Sequence, residues 1–207
     1  MDNLSTALTN YFVSKKLIPY EKMEIYHYGF KLILSDIINF SIIMLLSVLL
    51  NRVLDGLVYL VVLCSIRRFS GGFHAKTFWL CRLSMIITFL LLLLFADFLS
   101  SITILPLTSV FINIVLLLFV AVFSPVKHPN KKLNSKQIKK NKYNAVLVTI
   151  IWAILSVFLI YLNITQGITI MTTILAVVIF MALGMIKKEG GKSNVCLVEQ
   201  SFGRYCL

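Results

Sequence analysis

Charge is what this chain lacks. Only 14% of its 207 residues are Asp, Glu, Lys or Arg, where a soluble protein carries about a quarter. Hydrophobic residues make up 59% and fall in long runs rather than in an amphipathic pattern, which excludes an ordinary water-soluble domain. Acidic residues are scarcer still, 8 against 20 basic ones, for a net charge of +12. No aromatic-basic motif accompanies that charge, so it does not read as nucleic-acid binding; basic residues collect in the cytoplasmic loops of membrane proteins. Cysteine is sparse as well, with Cys64, Cys81, Cys196 and Cys206 and no CxxC pair. A disulfide framework is therefore not expected. A lone His-x6-Cys is not a zinc pattern, and no second ligand pair has suitable spacing, so no metal site is expected. Gly71-Gly72 lacks a surrounding P-loop, and no cofactor is expected. Internal repeats are not apparent, which weakens a transporter built from duplicated halves.

What the chain has is apolar length. Six segments stand out, at about 30–50, 54–66, 83–100, 104–124, 145–163 and 167–186. A membrane-spanning helix needs about twenty apolar residues, and five segments meet or approach that. The segment 54–66 is short and is open to tilting or partial insertion. The predicted fold is an all-α polytopic membrane protein. An amphipathic interfacial segment over 1–29 precedes a membrane domain over 30–186 and a tail over 187–207. Leu4, Leu8, Tyr11 and Phe12 share one face of the first segment, with Lys15 and Lys16 after them, as in a helix lying on the inner membrane surface. Its polar stretch does not resemble a cleavable signal peptide, so the first span is expected to act as an uncleaved insertion signal.

The loops set the orientation. Of the 20 basic residues, only Arg52 falls on one side if all six segments cross. The other side holds Arg67, Arg68, Lys76 and Arg82, seven lysines in the loop 125–144, and the basic tail. By the positive-inside rule that side is the cytoplasm, and both termini are expected there. The lysine loop should attract anionic lipid or an acidic peptide partner. His27 and His128 read as interfacial residues without a chemical role.

One stretch concentrates chemistry. Residues 66–84, IRRFSGGFHAKTFWLCRLS, join basic, imidazole, thiol and glycine groups at the junction 67–82 between two spans. A cysteine nucleophile acts as a thiolate, favoured by cationic neighbours or a helix N-terminus. Cys81 has Arg82 beside it and His74 nearby, and a neutral imidazole can take the thiol proton and later protonate a leaving amine. On one continuous helix the seven-residue spacing would leave the pair about 10 Å apart. A dyad therefore requires a break, which Gly71-Gly72 can permit. Arg67 and Arg68 are topology anchors in any reading; they could also bind a carboxylate or an oxyanion, as could backbone N–H groups around Gly71 and Gly72. Asp36 and Asn39 share a face of the first span. Asp36 either orients His74 or pairs with an arginine for structure. Cys64 has no polar companion in the sequence and reads as a small buried hydrophobe. The principal alternative to an enzyme is a small non-enzymatic transporter or accessory subunit, and export of a product by the same protein also stays open.

Arg67-Arg68, Gly72, His74-Ala75, Trp79 and Cys81, in the spacing RR-x3-G-x-H-A-x5-C, resemble the accessory gene regulator B (AgrB) family of bacterial quorum-sensing processing enzymes. The resemblance extends to size, apolar segments, the Pro/Lys loop and the placement of the ends. It implies a cysteine endopeptidase of the bacterial cytoplasmic membrane, with His74 and Cys81 as its catalytic pair. The implied substrate is a pro-peptide with an amphipathic membrane-bound leader, a signal core and an acidic tail. Cutting between core and tail would leave an acyl-enzyme thioester, from which a thiolactone or lactone ring forms. The resemblance also implies a homodimer. Lys131, Lys132, Lys139 and Lys140 are then the candidate contacts for the acidic tail.

Overall fold

The computed structural model describes residues 2–15, 17, 19–71, 78–101, 106–126 and 135–190. Among these residues the chain forms seven α-helices and no strand: α1 Asp2–Ser14, α2 Met23–Leu49, α3 Val53–Ser70, α4 Phe78–Ser101, α5 Pro106–Phe123, α6 Ser135–Tyr161 and α7 Gln166–Gly190. In hydrocarbon every backbone N–H and C=O must be satisfied within the protein, and helices do this segment by segment. Met23–Leu49, Trp79–Ser100, Ser135–Tyr161 and Gln166–Met185 are long and apolar enough to cross a bilayer; Leu107–Phe123 is apolar but shorter. The protein is a multi-pass membrane protein.

Two of the connections are tight because asparagine ends the helix before each. Asn51 and Asn163 adopt left-handed backbone, at φ 54° and 57°, a conformation asparagine tolerates better than most side chains. After α2, the Arg52 N–H donates to the Ser47 carbonyl at 2.8 Å and the Asn51 N–H to Val48 at 3.0 Å. After α6, Ile164 N–H reaches Leu159 and Asn163 N–H reaches Ile160, both at 2.9 Å. These paired bonds satisfy the last carbonyls of each helix and reverse the chain within a few residues.

The core lies where α3 and α7 pack together between the other helices. Tyr59, Val62, Leu63 and Ile66 of α3 and Ile170, Ile174, Val177 and Met181 of α7 are essentially inaccessible, along with Ile43 of α2 and Phe89 of α4. Inside α7, 61% of the apolar stretch is buried, against 22% for α2. The sequence gives both helices similar hydropathy, so which one is central is a matter of packing. At Gly56 the α2 and α3 backbones come so close that a Cβ would fall on the Ser47 side chain, as small residues allow in membrane helix pairs.

Several boundaries differ from the sequence expectation. Helix α2 begins at Met23, inside the stretch 1–29 read as a separate interfacial segment. At 27 residues it is about 40 Å long, so its first turns extend beyond a hydrocarbon core about 30 Å thick. Helix α3 is also longer than the segment 54–66, because it continues through Arg67 and Arg68 to Ser70. The latter half of the stretch 125–144 is not loop but the start of α6, which places Lys136, Lys139, Lys140 and Lys142 on helix. Hydropathy marks where apolar residues stop, whereas backbone hydrogen bonding continues into the polar ends.

Helix α1 lies against α2. Ser5 and Thr9 are fully buried while Leu4 and Tyr11 are exposed. The His27 Nε2 lies 3.0 Å from the Ser5 hydroxyl and 3.1 Å from that of Thr6, and Phe12 stacks on Phe30 with ring centroids 5.3 Å apart. His27 thus ties α1 to α2, and the outward apolar side chains are left for lipid.

Candidate functional site

Cys81 lies in the first turns of α4, half-buried and not in a disulfide. The start of a helix carries unsatisfied N–H groups and a partial positive charge, which favour a thiolate. Arg82 follows it, half-buried, with its Nε donating to the Asn39 Oδ1 of α2 at 3.2 Å. Its guanidinium carbon stands 5.7 Å from the Trp79 ring centre. Four residues beyond Cys81, the Met85 carbonyl accepts a bond from the buried Tyr59 hydroxyl of α3 at 3.2 Å. Tyr59 also packs its ring on Phe89, centroids 5.2 Å apart. The Cys81 and Cys64 thiols and Arg67 all lie within electrostatic reach of the Tyr59 hydroxyl.

The two arginines of α3 face α7 and solvent respectively. Arg67 is half-buried, its guanidinium 5.0 Å over the ring of Phe180, while Arg68 is exposed beside Phe69 at 6.0 Å. Asp36 of α2 is within electrostatic reach of Arg67. Cys64 is exposed rather than buried as the sequence suggested. It shares an electrostatic environment with Asp36 and Arg67, so its position on the outer side of α3 departs from the simple core-cysteine reading. His74, Gly72, Lys131 and Lys132 lie outside the described residues. Lys139 and Lys140 are exposed on the first turns of α6.

Gly71 ends α3 at φ 69°, ψ −156°, a region open in practice to glycine alone. Its N–H donates to the Arg67 carbonyl at 3.1 Å. That N–H closes the last turn of α3 and is thereby removed from the set of oxyanion donors suggested by the Gly71-Gly72 pair. The Val126 N–H donates to the Ser70 carbonyl at 2.9 Å. The start of the basic connector is thus fastened against the end of α3, next to the cysteine-bearing junction in sequence. A Cβ at Gly71 would lie 3.0 Å from the Val126 carbonyl oxygen. Gly71→Ala is expected to destabilise the protein by about 1–3 kcal/mol, read as a lower thermal unfolding midpoint in detergent. An unchanged midpoint would mean that the turn relaxes freely.

A second polar cluster occupies the opposite end of the bundle. Arg52 Nε donates to Asp55 Oδ2 at 2.6 Å and Arg52 Nη2 to Asp97 Oδ1 at 2.8 Å. Thr169 Oγ1 donates to Asp55 Oδ1 at 2.7 Å. The Asp55 hydrogen bond pushes the Arg52 pKa up from an already high value, so this charge persists at any accessible pH. A cleft of about 530 Å³ opens beside the cluster. Sequence spacing singled out neither Asp55 nor Thr169, since their 114-residue separation leaves no local pattern. Among the described residues no three His, Cys, Asp or Glu side chains converge as a metal site would require.

The family model described as accessory gene regulator B (AgrB) matches residues 5–187. The chain belongs to the AgrB family. A putative AgrB-like protein of Clostridium perfringens is 27% identical over 171 residues, covering 78% of this chain and 79% of that protein. A putative AgrB-like protein of Clostridium beijerinckii is 28% identical over 194 residues, covering 88% and 91%. The protein FsrB of Enterococcus faecalis is 44% identical over a shorter 55-residue stretch, 27% of this chain and 23% of its own. No solved structure matches. The AgrB match reaches into each of the seven helices of the described residues and includes both the thiol-bearing end of α4 and the Arg52 cluster.

Proposed function

We propose that this AgrB-family protein is a membrane cysteine endopeptidase that removes the C-terminal tail of a membrane-bound pro-peptide and promotes its cyclisation. The observation that carries this is the position of Cys81, a half-buried thiol in the first turns of a membrane helix, with the half-buried Arg82 next to it in the chain. His74 takes the thiol proton. The Cys81 sulfur adds to the scissile carbonyl, and Arg67 or Arg68 stabilises the oxyanion. Collapse expels the amine of the tail, which receives the proton from His74, and leaves the core as a thioester on Cys81. A thiol or hydroxyl within the core then attacks that thioester, closing a thiolactone or lactone and restoring the Cys81 thiol. A thioester keeps acyl-transfer potential that hydrolysis would discard. Shielding by membrane limits water, and holding the internal nucleophile close raises its effective concentration.

In this reading the protein sits in the bacterial cytoplasmic membrane as a homodimer, with both termini and the site toward the cytoplasm. Lys131, Lys132, Lys139 and Lys140 draw the acidic tail of the substrate, and anionic lipid, to the face where the connector meets α3. Neutralising these four lysines is expected to weaken pro-peptide binding about tenfold or more and to flatten its salt dependence. Titrating labelled peptide in vesicles at two ionic strengths checks this; unchanged affinity and salt slope would remove the lysines from recognition.

The decisive test of the function is mass spectrometry of the purified protein in lipid with its pro-peptide. A thioester adduct on Cys81 together with a released tail is the expected result. Tail release without any adduct, retained in Cys81→Ala, would overturn the cysteine mechanism and favour the non-enzymatic or accessory alternative for this thiol.

A further inference from the structure

Two interhelical hydrogen bonds hold α4 in the turn just past Cys81. Asn39 of α2 accepts from Arg82, one residue past Cys81, at 3.2 Å. Tyr59 of α3 donates to the Met85 carbonyl, four residues past it, at 3.2 Å. Both partners are buried inside the bundle: Asn39 is 3% exposed and Tyr59 not at all. An amide and a phenol in such surroundings carry a desolvation cost unless bonded, and each meets that cost with a bond to the same two turns of α4. Other interhelical bonds include Trp152 to Ser65, Thr169 to Asp55 and Ser156 to the Gly167 carbonyl, none of them to α4.

We infer that Asn39 and Tyr59 are positioning residues that brace Cys81 from two sides, a role resting on the assignment of Cys81 as nucleophile. A single contact leaves a helix free to turn about it. Two contacts from different helices, three residues apart on α4, fix both its rotation and its height. Acyl transfer is sensitive to such placement, because a displacement of about 1 Å can cost about a hundredfold in rate. The Asn39 bond has a second consequence. It holds the Arg82 guanidinium inside the bundle beside the thiol turn, where its charge favours the thiolate. Of the other ionisable groups, the Tyr59 hydroxyl of α3 lies within electrostatic reach of Cys81 and of Arg67 and Cys64 on its own helix, while Asp36 of α2 lies within reach of Arg67 and Cys64. Helix α7 contributes none between Gln166 and Met185, and His74 and Lys76 lie outside the described residues.

The test uses Asn39→Leu, which keeps the branched shape but removes the amide, and Tyr59→Phe, which removes only the hydroxyl. The full-length protein is placed in lipid, and monodispersity and thermal midpoint are checked first. Tail release is measured as separate kcat and KM, and alkylation of Cys81 by iodoacetamide is followed against pH by peptide mass spectrometry. Each substitution is expected to lower kcat by about tenfold or more with KM within about twofold. Asn39→Leu should also move the alkylation midpoint of Cys81 upward by about half a unit or more, and Arg82→Gln should reproduce that shift. A wild-type kcat in folded Tyr59→Phe and a wild-type alkylation midpoint in folded Asn39→Leu would overturn the brace. A rise in KM at unchanged kcat would overturn it too, by moving the pair into substrate binding. Alkylation is read without substrate, so failure of Cys81 as nucleophile, seen as cleavage by Cys81→Ala, is distinguishable from failure of the brace.

Discussion

Cys81→Ala is expected to lower tail release by at least about a thousandfold, without loss of folding or of pro-peptide binding. Removing a covalent nucleophile eliminates the acyl-enzyme path rather than slowing it, and what remains is catalysis by orientation and charge alone. Alanine at this half-buried position removes one sulfur and leaves the Arg82–Asn39 and Tyr59–Met85 bonds in place, so the fold should be unaffected. His74→Ala should reduce the rate by a comparable factor, and the double variant little further, because the two groups act in one step. Release of tail is followed by chromatography against time, with binding measured separately. Cys64→Ala is the control. This second thiol, on α3 and exposed, should retain full activity, and a loss there equal to that at Cys81 would reassign the nucleophile.

The second large effect is expected at the other end of the bundle. Asp55→Ala should destabilise the protein by about 1–3 kcal/mol. Asp55 is only 2% exposed and receives the Arg52 Nε and the Thr169 hydroxyl. Truncating it leaves the buried Thr169 hydroxyl without its acceptor and removes one of the two carboxylates on Arg52, whose guanidinium keeps Asp97, and a buried donor left unpaired costs more than its bond contributed. Thr169→Val removes one neutral donor and should cost about 1 kcal/mol. Unfolding midpoints in detergent or lipid check the order. If Asp55→Ala unfolds like the wild type, the cluster does not hold α3, α4 and α7 together. Asp55 and Arg67 are twelve residues apart on one helix, about 18 Å, so the folded fraction should keep its turnover per molecule.

Much of the architecture was legible because membrane solvation writes itself into sequence. The apolar runs could only be helices, and seven helices with no strand are what the described residues form. Cys81 stood out for the groups around it in the chain. Asn39 was visible only as a polar residue on the face of Asp36, and Tyr59 as one more aromatic in an apolar run. Their bonds to α4 join residues 43 and 26 positions apart, beyond the reach of any spacing rule. The Gly71-Gly72 pair promised two backbone donors; the helix end claimed the one on Gly71.

The sequence by itself determined that this chain lives in a membrane as helices, that it belongs with the AgrB proteins, and which thiol to suspect. The first follows from local composition, where the transfer cost of a residue depends on its own chemistry, and the other two from which residues stand near one another along the chain. Tertiary structure decided which helices are central, that Arg52 joins Asp55 and Asp97, and that α2 and α3 grip the turn bearing Cys81. Helices of like hydropathy are interchangeable to lipid, and only packing and hydrogen bonding between them tell one face from another.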